Sequence, residues 1–218
     1  MDGINFNSEV EAGVGTPQLK PKDKPQVAFL IDVKFDKEYE TGEGEKKKTQ
    51  PVLVYTFSDS ASKENPDRRE SSFIEFDPEG AKDKQAAFDR TKKRWLNIYE
   101  TFWGKKPDEK FFAKCKSTAD AMKAMADGLN TGAGADKKSP VYLNSEGVPR
   151  RVWLICVYYK NFVNLPLDKF IEIVREGKEP KIEVNPNFHT ITREVKAKAT
   201  ATPGASPDAE FDVNDLPM

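Results

Sequence analysis

The sequence predicts a mainly β domain interrupted by a helical insertion, an α+β arrangement. Three observations predict it. Runs rich in β-branched and aromatic residues stand before residue 78 and after residue 139. Between them, over about 82–130, the apolar period lengthens from two residues to between three and four. After residue 195 the composition turns to Ala, Thr, Pro, Gly, Ser and Asp, which cannot bury a core.

Taken in order, residues 1–24 contain Gly13, Gly15, Pro17 and Pro21 and read as an irregular arm. The first strand is expected over 26–35, the second over 51–57 and the third over 71–76. The loop 36–50 carries Lys46, Lys47 and Lys48 at the turn between the first two. From 82 to 105, Phe88, Thr91, Trp95, Ile98, Tyr99 and Phe102 line one face of an amphipathic helix that Gly104 and Pro107 terminate. A second helical segment is expected over 108–129, with Ser117 and Asp120 spaced to restart or kink it as a capping box. Strand character returns at 140–143, most strongly at 151–159, then at 162–165, 181–184 and 188–195, with a short ambiguous piece at 168–175.

Strands and helices do not alternate, so a doubly wound parallel sheet is excluded as the expectation. A small antiparallel β-barrel carrying a helical insertion fits, and the OB-fold is such a barrel, with loops that tolerate insertion. A split α+β sheet gives the same element order. The domain is expected over 25–195, followed by a flexible linker and acidic tip over 196–218.

Charge is unevenly distributed. Residues 208–218 contribute −4 of a net charge of −1, which leaves +3 on the rest. A nucleic-acid surface therefore needs local basic clusters, since the global field is weak. No run approaches the roughly 18 apolar residues of a membrane span, and the first residues lack the basic start and apolar run of a signal peptide. Cys115 and Cys156 fit neither a disulfide framework nor a metal knuckle, which makes the cytoplasm the expected compartment.

Enzyme signals are weak. His189 is the single histidine, so no His-based metal cluster can form. Both cysteines fall in apolar stripes and read as core residues. Lys137 stands where a phosphate loop would require glycine before Lys138 and Ser139. No catalytic residue, cofactor or metal is assigned.

Aromatic residues interleaved with bases on strands are the remaining pattern. Single-stranded DNA needs cations along its phosphates and flat rings for its unstacked bases. Lys46, Lys47, Lys48, Arg68, Arg69 and Arg151 are the candidate cations, and Tyr55, Phe73, Trp153 and Tyr159 the candidate rings. Alternation along 151–159 puts Trp153 and Tyr159 on the face of Arg151, with Val152, Leu154 and Cys156 toward the interior.

The segment 208–218 reads DAEFDVNDLPM: acids interspersed with single hydrophobes, closing on Leu-Pro-Met after a Pro/Ala/Thr linker. It resembles the C-terminal tip of bacterial and bacteriophage single-stranded DNA-binding proteins, matched here by Asp212, Asp215, Leu216, Pro217 and Met218. A looser similarity to phage members covers about 13–195. The resemblance implies an OB-fold, binding of single-stranded DNA in replication, recombination or repair, and capture of the tip by replication or recombination proteins. The family's last residue is usually Phe, and Met218 departs from it. The alternative is a replication adaptor that does not bind DNA. No membrane partner is expected, and self-association is left open.

Overall fold

The computed structural model of the chain describes residues 18–41, 47–107, 111–132, 138–159 and 162–192. Its frame is a five-stranded antiparallel sheet in the order β3–β2–β1–β4–β7, with a separate two-stranded hairpin, β5–β6. The strands are β1 (Gln26–Thr41), β2 (Lys48–Ser58), β3 (Glu70–Phe76), β4 (Arg151–Leu154), β5 (Val157–Tyr159), β6 (Phe162–Asn164) and β7 (Ile171–Ile173). Two helices, α1 (Lys84–Trp103) and α2 (Thr118–Asn130), interrupt the strand order after β3. The described pairings leave β3 and β7 as the edges of an open sheet, so a closed barrel is not what they show.

β1 runs longer than its sequence signal because it bends. Leu30 pairs with Phe57 and Asp32 with Thr56, which leaves Ile31 as an extra residue, and a second irregularity falls between Asp36 and Tyr39. The first bulge reverses the strand's phase. Ala28 and Leu30 point inward before it, and Val33 points inward after it. On β3 simple alternation buries Ser71, Phe73 and Glu75; on β2 it buries Leu53, Tyr55 and Phe57, while Val52 and Ser58, of the opposite phase, are buried as well.

The helices cover this inner face. Asp83 caps α1 by accepting from the Ala86 amide, and Gly104 ends it in the left-handed region at φ 70°. Thr91, Trp95, Ile98, Tyr99 and Phe102 are buried as the 3.6-residue period requires, joined by Ala87. Arg94 on α1 is partly buried. It reaches the sheet, donating twice to Glu75 at 3.0 and 3.1 Å and once to the Leu165 carbonyl. The second helix does not run from 108. It starts at the capping box, where Ser117 and Asp120 satisfy each other's amides. At its other end Asn130 donates to the Val33 carbonyl at 2.7 Å and accepts from the Tyr142 hydroxyl, tying α2 to β1 just past the bulge. Gly132, at φ 100°, leaves room for Trp103, which a Cβ would meet at 2.4 Å.

The C-terminal half departs most from the sequence expectation. The single strand expected at 151–159 is two. Ile155 and Cys156 are both buried, which strict alternation forbids, and the Ile155 amide bonds to the Phe170 carbonyl. The chain therefore leaves the sheet after Leu154 and makes the β5–β6 hairpin before returning as β7. Residues 140–143 contribute one isolated bridge, Leu143 to Pro149. No strand forms at 181–184 or over the described part of 188–195. Pro180 and Pro186 remove donors there. The Lys181 amide goes to the Glu172 carboxylate, and Asn185 turns the chain by accepting from the Asn187 amide. The arm is tied down as well: Leu19 is buried and its amide donates to Ser71 Oγ at 3.0 Å.

Candidate nucleic-acid interface

The outer face of the sheet, opposite the helices, is where alternation leaves side chains uncovered. Val27 stands beside Trp153, and Phe29 beside Arg151, across the β1–β4 pairing. Trp153 in turn pairs with Glu172. Phe29 and Trp153 are half-buried, and Arg151 is exposed with no ion pair among the described residues. Further along the same face lie Asp32, Lys34, Val54, Thr56, Ser72 and Ile74, with Thr56 and Ser72 sharing a hydrogen bond of 2.9 Å.

The second uncovered surface is the β5–β6 hairpin, which lies in the chain between the fourth and fifth strands of the sheet. Tyr159 and Phe162 are direct partners across it, so their rings project to one side. Phe162 is 77% exposed and Tyr159 42%. The loop carrying Phe188, itself 81% exposed, is anchored to this hairpin by the Tyr158 amide, which donates to the Thr190 carbonyl.

The sequence-named residues divide between surface and interior. Arg151 and Trp153 share the outer face, as alternation requires. Tyr159 is exposed but belongs to the hairpin, so it does not continue the row of Trp153. Tyr55 and Phe73 are core residues, which corrects their assignment as stacking rings: both sit in the inward phase of their strands. The Tyr55 hydroxyl is buried without a hydrogen-bond partner, and burial, with the Glu75 carboxylate as a second cause, holds its pKa well above the ordinary value. Phe73 meets Phe57 edge to face at 5.9 Å. Arg68 is also withdrawn, its guanidinium buried against Glu70. Arg69 is exposed, its amide held by Asp59. Lys48 is exposed at the start of β2, and Lys47 reaches Glu40 at 2.9 Å across the β1–β2 hairpin. Lys46 and the tip residues Asp212, Asp215, Leu216, Pro217 and Met218 lie outside the described residues.

Phe29 and Phe162 belong to the aromatics of the expected strands but not to the residues assigned to DNA, although signals for both exist. Phe162 follows Tyr159 after two residues, the spacing of a tight hairpin whose flanking residues face each other. Phe29 has the outward phase of a strand whose alternate residues are Ala28 and Leu30.

His189 has a structural place. Its Nδ1 accepts from the Asn185 amide at 3.0 Å, so its Nε2 carries the proton and donates to the Asp168 carboxylate at 2.9 Å. Arg150 donates to the Phe102 carbonyl near the C-terminus of α1. Burial pushes the Cys156 thiol up to about 12 and raises that of Cys115. Among the described residues no cluster of three or more His, Cys, Asp or Glu side chains is placed to hold a metal ion. Nor is any described helix long and apolar enough to cross a membrane.

Comparison with known families, curated proteins and solved structures finds no match.

Proposed function

We propose that this protein binds single-stranded DNA without strong sequence preference, and that its 208–218 segment recruits replication or recombination proteins. The observation that carries the DNA reading is the pair of exposed rings, Tyr159 and Phe162, on the hairpin between the fourth and fifth sheet strands. An exposed apolar ring is unfavourable in water, and an exposed ring face is what an unstacked base requires. The outer sheet face supports the same reading through Phe29, Trp153 and the exposed Arg151, which forms no ion pair among the described residues. We read the sheet as an OB-type barrel left open. The β1–β2–β3 meander, with β4 returning beside β1, supports this reading.

A second reading, a replication adaptor that does not bind DNA, is favoured by the pairing of cations near the proposed path. Lys47 meets Glu40 and Lys34 meets Asp36. Fluorescence anisotropy with labelled oligo-dT, titrated with salt, separates the two. Binding at low salt that weakens as salt rises is expected. Absence of binding at low salt overturns the DNA reading and leaves the adaptor.

A further inference from the structure

A cavity of about 530 Å³ lies between the first turns of α1 and the start of α2, a volume in the range of small-ligand sites. None of its lining residues belongs to the outer sheet face or to the β5–β6 hairpin. Three rings, Phe88, Trp95 and Phe112, form its apolar wall, and Phe88 meets Trp95 edge to face at 6.3 Å. Three exposed lysines, Lys84, Lys92 and Lys116, stand in its lining against one carboxylate, Glu79. None of the ion pairs formed among the described residues engages any of the three. Lys92 Nζ sits 5.8 Å from the centre of the Phe88 ring, which puts an ammonium group beside the aromatic wall. Trp95 is fully buried, and its indole N–H has no acceptor among the described residues. The indole of Trp103, by contrast, donates to the Gly128 carbonyl at 3.1 Å. A buried donor without an acceptor is unfavourable, and a ligand acceptor atom in the cavity relieves it.

Charge narrows the class of ligand. The lining holds three ammonium groups and one carboxylate, a surplus of two positive charges. The amides at the start of α2 are satisfied by the capping box, so the positive charge comes from the lysines. Asp120 lies outside the lining, with its carboxylate taken up by the Lys116 and Ser117 amides. A phosphomonoester carries a charge of about −1.5 to −2 at neutral pH and matches that surplus, which a single carboxylate does not. Rings set beside ammonium groups suit a flat base, because every base offers a face to stack. We infer that the α1–α2 cavity binds a nucleotide bearing a phosphomonoester. Its base lies among Phe88, Trp95 and Phe112 and accepts from the Trp95 indole, and its phosphate is held by Lys84, Lys92 and Lys116. A free mononucleotide and the phosphorylated end of a strand present the same chemistry. The cavity shares no lining residue with the hairpin, so this inference stands or falls independently of the single-stranded DNA reading.

The full chain is titrated with dAMP while the Trp95 indole N–H signal is followed by heteronuclear NMR, the signal being assigned through its loss in Trp95→Phe. The signal should move and saturate. Cys115 lines the cavity, so its alkylation by iodoacetamide should slow as dAMP binds, while the buried Cys156 serves as an internal control. Lys84→Gln with Lys92→Gln, both at exposed positions, should weaken dAMP binding by about tenfold or more and leave the unliganded Trp95 signal in place. Adenosine, which lacks the phosphate, should bind weaker by a similar factor. A Trp95 signal that stays still at about 10 mM dAMP overturns the site. An equal response to adenosine overturns the role of the lysines, and an equal response to inorganic phosphate or to a glutamate peptide overturns the nucleotide. Displacement of dAMP by oligo-dT with a terminal phosphate, but not by oligo-dT ending in a hydroxyl, supports the site and assigns it to strand ends. Displacement by neither supports it and assigns it to free nucleotide. Equal displacement by both overturns recognition of a monoester.

Discussion

The two faces of the five-stranded sheet use the same residue types in opposite ways. The inner face holds Tyr55, Phe57 and Phe73 under two helices, with one carboxylate, Glu75, gripped by Arg94. The outer face holds Phe29 and Trp153, both half-buried, with Trp153 packed against the core, while Arg151 and the neighbouring hairpin's Tyr159 and Phe162 are exposed. Aromatics and arginines therefore do not mark the proposed binding side by themselves. What separates the faces is the helical layer, which buries the inner set of rings and leaves the outer set only partly covered. The inner pair ties three elements together, since Arg94 reaches both Glu75 on β3 and the Leu165 carbonyl.

The sharpest way to break this contrast is to remove the cation from the inner face. Arg94→Leu leaves Glu75, 5% exposed, without its partner, and such a loss is expected to destabilise by about 3–5 kcal/mol. Equilibrium denaturation in urea measures it. Affinity for oligo-dT, measured where the variant is still folded, should stay within a factor of about two. A large loss of affinity at intact fold would mean that the inner and outer faces are coupled.

The reverse experiment targets the outer side. Phe162→Ala removes a ring that is 77% exposed. Stability should move by less than about 0.5 kcal/mol. Affinity for oligo-dT should fall by about 1–3 kcal/mol, the usual value of one stacked base. Salt dependence should be nearly unchanged, because no phosphate contact is removed. An unchanged affinity sinks the assignment of the hairpin.

Much of the fold was legible in the sequence because its signals were local. The Ser117 and Asp120 spacing marked the true start of α2, and the apolar stripe of α1 is buried as its period requires. The first three strands stand where β-branched and aromatic residues gather. Non-local choices were less legible. Tyr55 and Phe73 alternate as cleanly as Trp153, and strand periodicity fixes which residues share a face without fixing which face the helices cover. The break after Leu154 was hidden because Ile155 and Cys156 extend a run of good strand formers, and the Phe170 carbonyl that diverts Ile155 lies 15 residues away in sequence. The ties of Arg94 were not legible because its acceptors, Glu75 and Leu165, come from distant segments. The outer-face arginine, Arg151, was legible because alternation within four residues of β4 sets its direction.

Protonation gives a finer distinction between the faces. Burial raises the pKa of Glu75 above its ordinary value of 4.5, and the Arg94 charge opposes that rise in part. A raised carboxyl means that the folded protein holds more protons than the unfolded chain between the two pKa values, so this group's contribution falls as pH increases through that window. In Glu75→Gln the dependence disappears. The stability of the wild type minus that of Glu75→Gln should therefore decline as pH rises from 4.5, in urea titrations at a series of pH values. A difference that grows with pH would show that Arg94 outweighs burial and that Glu75 is held below its ordinary pKa.

The smallest expected effect comes from the Tyr55 hydroxyl, and it tests whether the inner face is dry. That oxygen is buried with no hydrogen-bond partner among the described residues. Burying a hydroxyl without compensation is unfavourable, so removing it leaves the ring packing intact and eliminates a desolvated group. Tyr55→Phe should be neutral or stabilising by up to about 1 kcal/mol, read from the shift in urea midpoint at constant m-value. Destabilisation by more than about 1 kcal/mol would mean that the hydroxyl is satisfied, by water or by Glu75, and that the inner face contains a polar network larger than the Arg94 pair. Oligo-dT affinity should not change in either case, because Tyr55 exposes no surface to a ligand.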